Sequence, residues 1–221
     1  MDPEPTTTPP AITVTPIHVA DLHVEGEVMP VMVHLIAHPQ GRVLVDTGMT
    51  ELHPWLDDMA PTLMPLDRQP GFDIGSVSAV VNTHLHGDHI GGNHLFAGRP
   101  IYVQRRELEE ARSRDDYTIR EWLDAPGVTY VPIDGEHELL PGLRLVPAPG
   151  HTDGTQVVVI DGGSGGGSDG GRPIVIGGDM AVWFGELDEP STEGQLMVVG
   201  LNPEAVYLAH TFEPWRPSRA A

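Results

Sequence analysis

VSAVVNTHLHGDHIGGN, residues 77–93, decides how the rest of the chain is read. Positions 77–82 are rich in valine and nearly continuous in apolar character, the pattern of a strand buried on both faces. Four side chains with metal-ligand chemistry follow within six positions: His84, His86, Asp88 and His89. His84 and His86 are two apart, so an extended backbone turns both rings to the same side. Gly87, Gly91 and Gly92 allow tight turns beside them. One short loop can thereby feed two neighbouring metal sites.

Upstream of this stretch, 12–19, 28–37 and 42–46 read as strands, the last two joined by the turn His38-Pro39-Gln40-Gly41. The proline-rich stretch 50–70 reads as a short helix plus an irregular loop. Downstream, 101–104 reads as a short strand. RRELEEARS (105–113) is built from strong helix formers, and helix continues through 117–124 toward Pro126-Gly127. Strands follow at 128–133, 138–140, 143–147, 156–160 and 174–176, with Pro141-Gly142 as a hairpin turn. A helix over 191–199 and a strand over 205–209 close the pattern.

Three more ligand-type side chains sit where a strand leaves its sheet. His151 follows 143–147, Asp179 follows 174–176, and His210 follows 205–209. Strand ends on one edge of a layered α/β fold are where sites are commonly built. Two runs of strands, each with following helices, predict two mixed sheets packed face to face with helices outside. Residues 1–11 read as a loose tail and 12–221 as a single domain. Within it, GGSGGGSDGG (162–171) reads as a flexible loop with too little side chain to pack a core. Trp55, Trp183 and Phe184 are expected in the core rather than along a pocket wall.

Composition removes several classes of function. The formal charge is −20, and such a field repels phosphate backbones, which argues against nucleic acid as a partner. All twelve basic residues are Arg; without Lys there is no Schiff-base chemistry. Without Cys there is no thiolate nucleophile or ligand, so any metal is held by His and carboxylate. No apolar run approaches the ~20 residues of a membrane span, and the first residues lack the basic and apolar regions of a signal peptide. The expectation is a cytoplasmic protein, monomer or homodimer, that acts on a small molecule without nucleic acid or membrane.

THLHGDHIGGN (83–93), PGHT (149–152), GGD (177–179) and LAH (208–210), in that order and preceded by VDTG (45–48), resemble the metallo-β-lactamase superfamily over about residues 12–212. The resemblance implies an α/β fold: a four-layer αβ/βα sandwich with its metal site at one edge. It implies His84, His86 and His151 on one metal and Asp88, His89 and His210 on a second, with Asp179 bridging the two. Asp46 is implied as a hydrogen-bond partner of a ligand histidine, a contact that fixes a ring tautomer. Two zinc ions are the implied cofactors, with Fe, Mn and Co as alternatives; imidazole and carboxylate suit zinc. The implied chemistry is hydrolysis of a lactone or similar small ester through a metal-bound hydroxide, with Asp88 and Asp179 as catalytic residues.

Within the superfamily, the carboxylate of Asp179 argues against the true β-lactamase branch. The segments 100–117 (PIYVQRRELEEARSRDDY) and 138–154 (ELLPGLRLVPAPGHTDG) are similar to the N-acyl homoserine lactone lactonases, which implies lactone opening and a quorum-quenching role. Three departures stand out. Those enzymes carry a Tyr three residues past the bridging Asp, where this chain has Val182. His210 lies only 31 positions past Asp179, and Gly87 takes a place where some lactonases have a bulky wall residue. A glyoxalase II-like thioesterase and a mononuclear iron enzyme like the persulfide dioxygenases are the alternatives. The thioesterases usually carry a helical C-terminal extension with basic residues, whereas eleven residues follow His210 here, with Arg216 and Arg219 as the basic ones.

Overall fold

The computed structural model describes residues 12–162 and 171–217, and within them twelve strands form two sheets. The 1–11 tail lies outside the described residues, as does the Gly/Ser loop apart from its ends Gly162 and Gly171. The first sheet holds β1 (Thr13–Val24), β2 (Glu27–His38), β3 (Gly41–Val45), β4 (Thr62–Leu63), β5 (Val77–Val81), β6 (Pro100–Gln104) and β7 (Thr129–Ile133), in the order β4-β1-β2-β3-β5-β6-β7. The second holds β8 (His137–Leu140), β9 (Leu143–Pro147), β10 (Gln156–Ile160), β11 (Ile174–Gly178) and β12 (Ala205–Leu208), in the order β12-β11-β10-β9-β8. Both are mixed: β3, β5, β6 and β7 run parallel in the first, and β11 and β12 in the second.

The two-residue period of the strands sorts their side chains into three apolar cores. In β3, Leu44 faces one core while Val43 and Val45 face another. In β10, Val158 and Ile160 face that second core, and Val157 and Val159 face a third. The middle core lies between the sheets, where Val43, Val45 and Val81 meet Leu145, Val158 and Ile176. Burying one such side chain contributes roughly 1.5–3 kcal/mol. The first core lies under α2 (Arg105–Ser113) and α3 (Arg120–Leu123), through Leu108, Ala111 and Leu123. The third lies under α4 (Gly185–Asp188) and α5 (Glu193–Gly200), through Leu187 and Val198. The layers therefore run helix, sheet, sheet, helix, the sandwich expected from the sequence.

Some expectations need correction. β1 runs to Val24 rather than ending at 19. A bulge between His18 and Ala20 lets it keep pairing with β2, and His18 Nε2 lies 2.7 Å from Asp21 Oδ1, so the polar residues there satisfy each other. The helix expected over 117–124 is confined to α3, while the short helix expected in 50–70 is the 3-10 helix Pro54–Met59, followed by β4 and a further 3-10 turn in place of a wholly irregular loop. Trp55 and Trp183 are not in the core: they are 53% and 64% exposed. Trp55 is the second residue of the 3-10 helix Pro54–Met59, whose buried residue is Leu56. Trp183 folds over Gly185, where any side chain would strike its ring. Phe184 alone of the three packs against the third core.

The C-terminal ends of β3, β5, β9, β11 and β12 come together at one edge. There the two sheets are joined by backbone hydrogen bonds, Gln156 N to Thr83 O at 2.9 Å and Met32 N to Ala209 O at 2.8 Å. Among the described residues no helix is long and apolar enough to cross a membrane.

Candidate metal centre

Two groups of side chains with ligand chemistry stand at this edge: His84, His86 and His151, and Asp88, His89, Asp179 and His210. His84 and His86 leave the end of β5, Asp88 and His89 lie on the one-turn helix α1 (Gly87–Ile90), and His151, Asp179 and His210 follow β9, β11 and β12. All seven residues singled out in the sequence fall in these groups.

In the first group, His86 Nδ1 lies 3.1 Å from His84 Nε2 and 3.1 Å from His151 Nε2. Neutral imidazoles have one proton each, so a triangle of ring nitrogens this close is poorly satisfied by hydrogen bonds alone. Four-coordinate zinc with bonds of ~2.0–2.1 Å would space its nitrogen ligands by roughly 3.3–3.4 Å. The second group is built around Asp179. Its Oδ2 is 3.2 Å from His210 Nε2, and its Oδ1 is 3.3 Å from His89 Nε2. Asp88 Oδ2 is 3.5 Å from His89 Nε2 and 3.6 Å from His210 Nε2. Asp179 also reaches the first group, with Oδ2 3.7 Å from His151 Nε2 and 3.9 Å from His84 Nε2. It stands between the two.

Two atoms at this meeting point, His89 Nε2 and Asp179 Oδ1, are buried without a hydrogen-bond partner. Leaving a buried polar atom unpaired costs about 1–3 kcal/mol, and an ion between them would remove that cost. The donor set of imidazoles and carboxylates and the spacing of its atoms fit divalent metal ions.

A chain of hydrogen bonds orients the rings. Asp46 Oδ2 accepts from His89 Nδ1 at 2.9 Å and from Thr83 Oγ1 at 2.7 Å, while Asp46 Oδ1 accepts from Thr83 N at 2.8 Å. Thr83 Oγ1 is 3.2 Å from His84 Nδ1. With its proton on Asp46, that oxygen accepts from His84, leaving Nε2 of both His84 and His89 directed at the centre. Pro30 O accepts from His210 Nδ1 at 2.8 Å and does the same for that ring. Asp46 takes a left-handed backbone conformation (φ +58°), which Asp tolerates better than most residues.

Several contributors escape a reading of the sequence. Thr83 is one, and a Cβ on Gly178 would fall 2.3 Å from its hydroxyl oxygen, so only glycine fits there. Asn93 is another, linking Asn82 (2.9 Å) to the Thr47 hydroxyl (2.9 Å) beneath the loop. Glu107 is the third: wholly buried on α2, with its carboxyl pushed up from the usual range, by burial above all. Only the glycines and the Asn of GGN hinted at such support.

Electrostatics divide the two groups. Burial first, and the neighbouring His89 second, holds His84 well below 6.5. Burial and then His151 bring His86 to about 4, and burial also lowers His151. These rings are neutral near pH 7, as ligands must be. In the second group burial acts the same way but is outweighed. Asp179, ahead of the other carboxylates, raises His89 well above 6.5 and His210 to about 9. For Asp179 burial works upward, yet His210 and His89 hold it well below its ordinary value. The carboxylates of this group thus favour positive charge at its centre.

A cavity of about 330 Å³ opens beside His86 and His151, with walls that include Glu110, Arg114, Asp116 and Tyr117. A larger groove of about 560 Å³, between β1 and residues 63–70, contains none of the seven side chains.

The family profile described as the Metallo-beta-lactamase superfamily matches residues 26–210. The chain belongs to this superfamily. Within it, an N-acyl homoserine lactonase from a Bacillus species is 33% identical over 165 residues, covering 67% of this chain and 62% of its own length. One from Bacillus cereus is 32% identical over 149 residues, covering 60% and 59%. The chain thus spans about three fifths of the length of the curated relatives it matches. A solved quorum-quenching N-acyl homoserine lactone lactonase shares the metallo-beta-lactamase superfamily fold with a TM-score of 0.70 at 25% identity, covering 93% of this chain and 94% of its own. The structure of a single-residue mutant of Bacillus thuringiensis AiiA with N-decanoyl-L-homoserine bound at its active site gives 0.71 at 24% identity, covering 93% and 95%.

Proposed function

We propose that this chain is a dinuclear metal-dependent hydrolase that opens a lactone or similar small ester, and that zinc is its metal. The observation that carries the reading is the sharing of Asp179 between two donor groups whose atoms are spaced as ligands. His84, His86 and His151 would hold one ion, Asp88, His89 and His210 the other, and Asp179 both. When bound, the pair supplies Lewis acidity that activates water and polarises the acyl carbonyl. The similarity to N-acyl homoserine lactonases supports a lactone as substrate and a quorum-quenching role.

The chain's own residues account for the rest. Water adds to the carbonyl carbon, the ring C–O bond breaks, and a hydroxy acid is formed. Asp88 is the more open of the two carboxylates, 13% exposed against 7% for Asp179. It is the one able to carry a proton from the attacking water to the departing ring oxygen. Asp46 and Pro30 O keep His89 and His210 in one tautomer. Val182 offers no hydroxyl to the carbonyl oxygen, so orientation there falls to the cavity walls.

The test is a purified sample loaded with zinc and offered N-acyl homoserine lactones, simple esters and a glutathione thioester, with metal content measured in parallel. Lactone turnover with two zinc ions per chain is the expected result. Thioester turnover alone, or one iron per chain with no hydrolysis, would replace the assignment.

A further inference from the structure

Glu107 is an anomaly on its helix. In RRELEEARS the neighbouring Arg105, Arg106 and Glu109 face solvent, but Glu107 is 0% exposed. A buried carboxylate is costly unless well hydrogen-bonded, and this one is bonded through both oxygens. Oε1 accepts from Leu85 N at 2.8 Å and from Tyr117 Oη at 2.7 Å, and Oε2 accepts from Thr152 Oγ1 at 2.6 Å. All three donors lie outside α2. Space for this close approach is cleared at Gly154, where a Cβ would fall 2.4 Å from Glu107 N.

The placement of the donors matters. Leu85 is the residue between His84 and His86. Thr152 directly follows His151. The ring of Tyr117 lies 5.3 Å from the ring of His86. One carboxylate thus reaches, at one remove, every member of the first donor group. In the second group His89 and His210 are held by other means, through Asp46 and Pro30 O, although Asp46 also reaches His84 through Thr83.

We infer that Glu107 is the positioning residue of the His84–His86–His151 half of the centre, fixing the convergence of the three rings through Leu85, Tyr117 and Thr152. This rests on the metal centre proposed above. Its consequence is selective: loss of Glu107 loosens one ion and spares the other. The geometry also separates hydrogen bonding from charge. A glutamine at 107 keeps an oxygen for Leu85 and Tyr117 and turns its amide to Thr152. The Thr152 hydroxyl can then donate instead to Thr155 Oγ1, 2.8 Å away.

The experiment compares wild type, Glu107→Ala and Glu107→Gln loaded with Co²⁺, following bound metal and the visible spectrum during exposure to a chelator. His151→Ala and His210→Ala mark the spectrum of each half alone. We expect Glu107→Ala to release one ion roughly 10–100-fold faster than wild type, as for other partners of ligand residues, and to leave the spectrum of His151→Ala. Glu107→Gln is expected to keep both ions at near wild-type rates. Thr152→Val and Tyr117→Phe should each speed release of the same ion by a smaller factor.

Retention of both ions by Glu107→Ala at wild-type rates overturns the inference. So does equal loss of both in step with a lower thermal midpoint of the metal-free chain, which marks a general structural role. If Glu107→Ala does not fold, unchanged release from both milder variants overturns it instead. A wild type that holds two ions but opens no ester removes the lactone reading and leaves this one standing; a wild type that holds none removes both.

Discussion

His151 and His210 flank the same carboxylate, but the fold treats them differently. The side chain of His210 is 3% exposed, and its Nδ1 is bonded to the backbone of β2, across the sandwich. That of His151 is 28% exposed, on a loop beside the cavity, with its Nε2 toward His86 and Asp179. The second donor group is therefore set into the meeting line of the two sheets, and the first is hung from loops that α2 braces. The closed half is fixed by the fold, and the open half borders the cavity. In such a centre the histidine-only half should be the more labile.

Several measurements would break or sharpen this contrast. The largest effect is expected from Asp88→Asn, which removes the proton carrier from the closed half. A fall on the order of 10²–10⁴-fold in kcat/KM for a lactone is expected, with the fold unchanged by circular dichroism. A loss below tenfold would move the proton transfer elsewhere. Next comes His210→Ala. It leaves Pro30 O without its donor and should cost about 1–3 kcal/mol of stability in the metal-free chain. His151→Ala, at the surface, should cost less than about 0.5 kcal/mol while also losing an ion. Equal destabilisation in urea titrations would erase the distinction between the halves. Gly178→Ala forces a Cβ against Thr83 and should cost about 1–3 kcal/mol, read from the same titrations.

The smallest effect is on pH. Because the fold raises His210 to about 9, its protonated form contributes stability in full below pH 6.5, and that contribution fades as pH rises through 9. The thermal midpoint of the metal-free protein should fall across that window and that of the zinc-loaded protein should not. A flat profile for the metal-free chain would mean that His210 is neutral in it.

How much of this was legible in advance follows from where each interaction is made. The seven candidate ligands were readable because each sits beside a local marker: a glycine, a strand end, or another ligand. The layering was readable because strand alternation is local too. Glu107 was not, since within RRELEEARS it looks like one more solvated charge. Its donors lie 22 residues upstream and 10 and 45 residues downstream. Trp55 and Trp183 were misplaced for a similar reason. Their size argued for burial, but the turns that carry them direct Leu56 inward in one case and set the indole over Gly185 in the other. β1 outran its expected end because cross-strand pairing with β2, invisible in its own residues, continues past the bulge.

The seam between the sheets carries one more implication. It is stitched by Gln156 N to Thr83 O and Met32 N to Ala209 O, contacts between peptide groups that are indifferent to side-chain identity. The meeting edge of the sheets is thereby held independently of cavity-wall side chains such as Glu110, Arg114 and Asp116. Those three side chains could change without moving the peptide contacts that bring the two donor groups to one edge.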